Sequence, residues 1–315
     1  MTYTIRVKEE IAHLETDIVE ALAEVSGFIR FDGEVNSKEI ILNIENASVA
    51  RRIYKLMKMC FQIRPQITVR VQKRFRVHQL YILVYNSKVM SVLERLNIYK
   101  NGRVILPEEY FLATKEEKIA FLRGLFLATG SINNPQTSGY HMEFSVPRKT
   151  DASYVVKLLK EFNIVSKILK RKTRYMVYIK QAEMISDTLK MLGAINSMFF
   201  FEDIRIYRDH KNMVNRLNNC EIANQEKTTI TGLKQLEDID YLKKNDLLPL
   251  LDEKIQEVIM YREKYPETSY QELAEIVTME SGHSISKSGI NHYFRKIRDL
   301  VNKHKEKNEN YVESI

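Results

Sequence analysis

Between Ile285 and Val301 the polar side chains recur at a spacing that suits an extended polyanion. Lys287, Ser288, Asn291, His292, Arg295 and Arg298 fall on one side of a helix, and Ile290, Phe294, Ile297 and Val301 fall on the other. Asn pairs bidentately with adenine and Arg with guanine, whereas Ser and Lys reach phosphate oxygens. In a major groove the first residues of such a helix, Lys287 to Asn291, meet the base edges. Ser286 just before them, and Lys296 and Arg298 further along, suit the sugar-phosphate backbone. The competing reading is the solvated face of an ordinary three-helix bundle.

A helix used this way needs two others to hold it. Asp252 is placed to cap a first helix carrying Ile255, Val258 and Ile259, which Pro266 helps to end. Ser269-Tyr-Gln-Glu272 has the form of a capping box, opening a helix with Leu273, Ala274, Ile276 and Val277 inward. A turn through Gly282 then leads to Ser286, a second N-cap, and to a helix ending near Val301. This pattern predicts a helix-turn-helix over residues 247–305, with a frayed tail over 306–315. Residues 203–246, polar and rich in Asn and Lys, read as a linking helix or helix pair.

Ahead of the linker the chain repeats itself. Ala21 to Ile29 aligns with Gly124 to Ile132, and each stretch is closed by a glycine, Gly27 and Gly130, expected as left-handed helix caps. Ile11, Leu14, Ile18 and Leu22 supply helical spacing before the first glycine. An extended stretch, a helix, a strand pair and a closing helix follow each time: 39–44, 48–60, 67–85 and 89–96, then 141–146, 152–162, 167–180 and 184–192. The reading is an α+β domain made of two halves, residues 1–100 and 101–202. Along 67–78, Ile67, Val69, Val71, Phe75 and Val77 alternate with Thr68, Arg70, Gln72, Arg74 and Arg76, as in a half-buried strand with a basic outer face. Lys167, Lys170, Arg171, Lys172 and Arg174 stand in the comparable place of the second half. Such a face serves as an auxiliary nucleic-acid contact, or equally as a solubilising or protein-docking surface.

Composition narrows the classes. The net charge of +8 favours polyanionic partners through counterion release. No apolar run is long enough to span a bilayer, and the first ten residues lack an export signal's apolar core. Two cysteines, Cys60 and Cys220, form no disulfide framework and read as inert packing residues in a reducing compartment. The seven histidines show no metal-ligand spacing, and no glycine-rich phosphate loop or nucleophilic triad stands out. No cofactor, metal, membrane or small-molecule substrate is expected.

Two segments carry a family resemblance: Asn215-Arg-Leu-Asn-Asn-Cys-Glu-Ile-Ala-Asn224 and Ile285-Ser-Lys-Ser-Gly-Ile-Asn-His-Tyr-Phe-Arg-Lys-Ile297. Together they resemble the WhiA family of bacterial regulators. The resemblance implies a duplicated N-terminal domain with the fold of LAGLIDADG homing endonucleases, with pseudo-twofold symmetry. It also implies a C-terminal helix-turn-helix similar to sigma-factor region 4. A role in cell division and chromosome segregation follows, with double-stranded DNA and regulatory or cell-division proteins as partners, in the cytoplasm at the nucleoid. In the nucleases an acid just before each terminal glycine holds the divalent metals. Read on Gly27 and Gly130, those positions are Ser26 and Thr129, whose hydroxyls cannot replace a hard anionic ligand. Glu24 lies two residues back, but its counterpart is Leu127, so a shifted pair fails too. The implied outcome is binding without catalysis. In the resemblance the strands form a saddle, giving Arg70, Arg74, Arg76, Lys170, Lys172 and Arg174 as auxiliary DNA contacts. The alternatives are a metal-dependent endonuclease using other carboxylates, or an N-terminal domain that serves protein interaction only.

Overall fold

The computed structural model describes residues 2–72, 78–137 and 139–312. Two compact units result, Met1–Asp209 and His210–Ile315.

The first unit is built on two matching helices. α1 (Tyr3–Ala12) ends at His13, and Asp17 caps α2 (Ile18–Asp32) by accepting from the amides of Val19 and Glu20 at 2.9 and 2.8 Å. Ile11 and Leu14 therefore do not share a helix with Ile18 and Leu22, because the Asp17 cap starts a new one. Then come β1 (Glu34–Val35), β2 (Ile40–Ile44), α3 (Ala47–Phe61), β3 (Gln66–Gln72), β4 (His78–Tyr85) and α4 (Val89–Arg95). A small ribbon, β5 (Tyr99–Lys100) and β6 (Arg103–Val104), closes the first half.

The second half opens on α5 (Lys115–Thr129), started by a Thr114–Glu117 capping box. It continues through β7 (Gly130–Ile132), β8 (Met142–Val146), α6 (Lys149–Glu161), β9 (Lys167–Arg171), β10 (Arg174–Ile179) and α7 (Ala182–Leu192). The two sheets have the same order, β1-β2-β4-β3 and β7-β8-β10-β9, antiparallel throughout. The duplication is thus present from α2 to α4 and again from α5 to α7.

The glycines differ from their expected role. Gly27 lies inside α2, and Gly130 caps α5 with φ −70° and ψ 144°, which is extended rather than left-handed. A Cβ on Gly27 would lie 2.2 Å from the carbonyl oxygen of Phe121, and one on Gly124 would lie 2.0 Å from that of Glu24. Gly27 and Gly124 therefore let the backbones of α2 and α5 touch. The true partner of Gly130 is Gly33, which ends α2 with φ −79° and ψ 133°. Around this crossing a core forms from Val25, Phe28, Ile29, Phe121, Leu125, Phe126, Leu42, Leu83, Phe144 and Val177.

A single 50-residue helix, α8 (Ile195–Lys244), runs from the first unit into the second. Glu10 caps its start, accepting from the amides of Asn196 and Ser197 at 2.6 and 2.8 Å. The second unit adds α9 (Glu253–Lys264), α10 (Tyr270–Ser281) and α11 (Lys287–Val312), packed on Ile239 and Leu242 of α8. The tail expected to fray continues α11 as far as Val312. No helix among the described residues is long and apolar enough to cross a membrane.

Candidate nucleic-acid interface

In the second unit Ser269 caps α10 through both arms of its box with Glu272, at 3.2 and 2.7 Å. Gly282 ends α10 in the left-handed region, φ 76°, where a side chain would be strained. Ile285 and Ser286 then lead into α11, and Ser286 Oγ accepts from the Gly289 amide at 3.2 Å. Ile290, Phe294, Ile297 and Val301 are buried against Val258, Ile259, Leu273 and Val277, which fixes the rotation of α11. Phe294 also stacks on Tyr270, with centroids 5.9 Å apart and planes 11° apart.

With that stripe buried, Lys287, Ser288, Asn291, His292 and Arg295 are all exposed. Neither Lys287 nor Arg295 forms an ion pair among the described residues, so both charges are directed to solvent. Lys296 and Arg298 differ. Lys296 Nζ is 3.6 Å from Asp252, and Arg298 Nε is 3.8 Å from Asp238. Asp238 is half-buried at the base of Arg298, and burial raises its carboxyl above the usual range. These two cations flank the exposed face and are partly neutralised within the unit.

The first unit offers a second surface, the sheet faces turned away from the helices. Direct partners on adjacent strands share a face, so register assigns each residue. Thr68 opposes Ile82 and Arg70 opposes Leu80, while Ile41 opposes Val84 and Asn43 opposes Ile82. The open face of the first half therefore has an apolar centre, Leu80, Ile82 and Val84 with Ile41, flanked by Gln66, Thr68 and Arg70 on β3 and by Asn43 and Glu34. Ile67, Val69 and Val71 lie on the other face, yet each is about half exposed because β3 is an edge strand overhanging the core. The half-buried strand expected there is corrected to an edge strand with both faces open. Arg74 and Arg76 lie outside the described residues.

In the second half Arg174, Met176 and Tyr178 share the open face with Ser145 and Glu143, and with Lys167, Leu169 and Arg171. Lys170 pairs with Tyr175 and points to the opposite face, and Lys172 sits in the hairpin turn with φ 54°. Of the four expected auxiliary contacts among the described residues, Arg70 and Arg174 share the open faces by register. Lys167 and Arg171 join them, and period-two alternation through the hairpin would have singled them out. Arg174 is itself anchored, donating to Ser145 Oγ at 2.7 Å and to the Ser145 carbonyl at 2.9 Å. Nearby, His141 stacks on Tyr178 and lies 3.0 Å from Glu143.

The ends of α2 and α5 hold the correction with most chemical weight. The residue before Gly33 is Asp32, so the acidic position of the first half is occupied, and Ser26 is not its counterpart. Ser26 is buried inside α2, donating to the Leu96 carbonyl at 2.9 Å. The matching end of α5 is Thr129, with no carboxylate. Asp32 is exposed at the end of α2, yet partial desolvation pushes its carboxyl up to about 6 despite Lys8 and Arg174 nearby. Lys8 is pushed down to about 8 by desolvation as well, against the pull of Asp32 and Glu45. One carboxylate beside an ammonium and opposite a threonine is a poor donor set for a divalent cation. Glu24 is fully buried with Arg52, whose Nη2 lies 2.7 Å away, and Arg123 is 3.5 Å off, so it is committed to the core. Among the described residues no three His, Cys, Asp or Glu side chains gather as a metal site. Cys60 is buried and its thiol is pushed up to about 11, whereas Cys220 is exposed on α8 and is not the packing residue expected.

Three family models match in chain order. They describe a WhiA N-terminal LAGLIDADG-like domain over residues 19–99, a WhiA LAGLIDADG-like domain over 118–211, and a WhiA C-terminal HTH domain over 214–301. The chain is 37% identical over 307 residues to the Probable cell division protein WhiA of Lactobacillus acidophilus, covering 95% of this chain and 98% of that protein. It is likewise 37% identical over 308 residues to the protein of that description from Staphylococcus aureus strain JH9, covering 96% and 97%. Among solved structures, full-length DUF199/WhiA from Thermatoga maritima matches with a TM-score of 0.56 and 24% identity, over 96% of this chain and 99% of that one. At that identity the match speaks for the fold.

Proposed function

The chain belongs to the WhiA family, and from that premise we propose that it is a regulator of cell division that binds double-stranded DNA through α11. The observation that carries this is the face of Lys287, Ser288, Asn291, His292 and Arg295, exposed above a stripe of four buried residues. A helix held in this rotation by its neighbours presents amide, hydroxyl and guanidinium groups to a major groove without reorganising. Lys296 and Arg298, tied to Asp252 and Asp238, serve the flanking backbone. The protein binds DNA and does not cut it, since Asp32 has no acidic partner at Thr129. It acts in the cytoplasm at the nucleoid, and residues 247–305 form its DNA-binding domain.

The test is a gel-shift titration of the full chain against genomic fragments. Lys287→Ala with Arg295→Ala is expected to lower affinity about 100-fold, two contacts of about 1–3 kcal/mol each, with circular dichroism unchanged. Unchanged affinity in that variant would refute the reading. Incubation with plasmid and magnesium or manganese checks the second half of the claim, and site-specific cutting would overturn it.

The apolar centre of the open face of the first half, Ile41, Leu80, Ile82 and Val84, favours an additional role in protein docking, with a regulatory or cell-division protein as partner. Lys167, Arg171 and Arg174 in the second half are the auxiliary DNA contacts of the same unit.

A further inference from the structure

Within the second unit Arg262 of α9 is 1% exposed, and no Asp or Glu among the described residues pairs with it. Its Nη1 donates to the Thr268 carbonyl at 2.7 Å and shares its other hydrogen among the carbonyls of Tyr265 and Pro266 and Thr268 Oγ1, at 3.2, 3.3 and 3.3 Å. The guanidinium carbon is 5.5 Å from the centre of the Phe294 ring. Nε is buried with no acceptor. Neutral oxygens and an aromatic face satisfy dipoles but cancel no charge, and a guanidinium does not give up its proton. The unit thus holds a buried positive charge without a counter-ion.

That charge borders a cavity of about 130 Å³ lined by Lys227, Thr228, Thr231, Arg262, Thr268, Ser269 and Tyr270. No carboxylate lines it. Proton bookkeeping shows which groups are left to donate. Thr231 and Thr268 spend their hydroxyl protons on the carbonyls of Lys227 and Tyr265, at 2.7 and 2.9 Å. The Ser269 hydroxyl accepts from the Glu272 amide and is itself hydrogen-bonded to the Glu272 carboxylate, and the Tyr270 hydroxyl pairs with the Gln235 side-chain amide at 2.5 Å. Thr228 Oγ1 makes no hydrogen bond to the described residues, and Lys227 is exposed beside it. Glu272 is held by the Ser269 amide and is absent from the lining. The walls are fixed: a Cβ on Gly232 would lie 2.3 Å from the Pro266 carbonyl oxygen, so α8 presses directly on the turn before α10.

We propose that this cavity is a seat for one phosphate group. The Thr228 hydroxyl and the Lys227 ammonium are the donors free to meet it, while Arg262 supplies the unmatched charge behind. The volume equals about four waters at about 30 Å³ each, enough for a tetrahedral oxyanion and a water. The seat lies at the start of α10, the first helix of the helix-turn-helix, which in such motifs crosses the DNA backbone. A DNA phosphate is therefore the favoured occupant. That assignment rests on the DNA-binding reading above, whereas the phosphate chemistry does not.

The test uses the full chain. Amide resonances of Thr228, Ser269 and Tyr270 are followed by NMR against inorganic phosphate, with sodium chloride at matched ionic strength as control. Arg262→Ala is expected to disturb the turn it clamps, so the working variant is Lys227→Ala with Thr228→Val at the rim of the cavity. Phosphate-specific shifts at these three amides, weakened at least about fivefold in the variant, are expected. DNA titrations over a salt series then identify the source. A slope of log affinity against log salt reduced by about one, with sequence preference kept, assigns the seat to the DNA backbone. Phosphate binding with an unchanged DNA slope supports the seat and assigns it to a free phosphate-bearing molecule. Equal shifts with phosphate and chloride, together with an unchanged slope, overturn the proposal. Loss of all DNA binding on Lys287→Ala with Arg295→Ala reports on α11 instead, so the two claims fail separately.

Discussion

The two halves of the first unit share strand order, the length of the crossing helix and the glycines at the crossing, yet they present different chemistry. Gly27 and Gly124 occupy matching positions because each backbone rests on the other helix, and any Cβ would strike a carbonyl oxygen. Three and five positions further towards the helix ends the correspondence breaks: Arg30 matches Leu127, and Asp32 matches Thr129. The open sheet faces diverge as well: the central strand of one shows Leu80, Ile82 and Val84, and that of the other shows Arg174, Met176 and Tyr178 beside Glu143, Lys167 and Arg171. Packing that needs both halves has kept its symmetry. Surfaces that a paired metal site would have held alike have drifted apart.

The comparison is broken most severely inside the core. Glu24 of α2 matches Phe121 of α5, so one half buries an ionic cluster where the other buries a ring. Glu24→Gln leaves Arg52 buried without its counter-ion, Arg123 keeping Glu20 at 3.3 Å, and is expected to cost about 3–5 kcal/mol in urea unfolding of the full chain. Phe121→Leu at the matching place is expected to cost about half as much, since only packing is lost. Similar losses at both sites would mean that the cluster is no more demanding than the ring.

Next in size are the glycines. Gly27→Ala and Gly124→Ala are each expected to cost about 1–3 kcal/mol, by nearly equal amounts, because the clashes of 2.2 and 2.0 Å are alike. A loss confined to one of them would show that the crossing is symmetric in geometry but not in energy.

The order of elements was legible in the sequence because hydrophobic period and cap residues are local. Ser269 with Glu272, Gly282 and Ser286 announced the helix-turn-helix, and the repeated strand-helix-strand order announced the duplication. The register between halves was misread by six residues. Ala21 to Ile29 and Gly124 to Ile132 each end on an apolar-Gly pattern, and Gly27 looks like a cap until a second backbone is seen against it. The sequence carries no local mark of such an approach, so Asp32 was passed over for Ser26. The exposure of Ile67, Val69 and Val71 was hidden for a similar reason: alternation says which residues share a face, not whether a helix covers it. Arg262 was invisible because its partners are carbonyls, which every residue has.

A smaller effect would sharpen the contrast between the open faces. Lys167→Ala with Arg171→Ala is expected to weaken DNA binding about threefold to tenfold and to lower the salt slope by about two. Ile82→Ser, on the apolar face, is expected to leave both unchanged. The readout is the gel-shift series used for α11. An unchanged slope in the double variant would confine DNA contact to the second unit and leave the first to protein docking.

The smallest effect concerns the helix ends. Partial desolvation raises the Asp32 carboxyl from 3.8 to about 6, so the fold favours its neutral form. A group raised in this way contributes stability that is fully present below about pH 4 and is lost as pH rises through 6. Lys8 has the opposite sign of shift and titrates near 8, outside that window. Between pH 4 and 6 the native chain is therefore expected to lose stability relative to Asp32→Asn, and from pH 6.5 to 7.5 the difference should stay flat. Carbon-13 titration of the Asp32 carboxyl reads the same group directly. A midpoint near 4 would mean that the end of α2 is as open as an ordinary surface, and that Asp32 and Thr129 differ in chemistry alone. A midpoint near 6 means that the surroundings of the first half still disfavour its ionised acid, and that what the duplicated scaffold lacks is the matching carboxylate on α5.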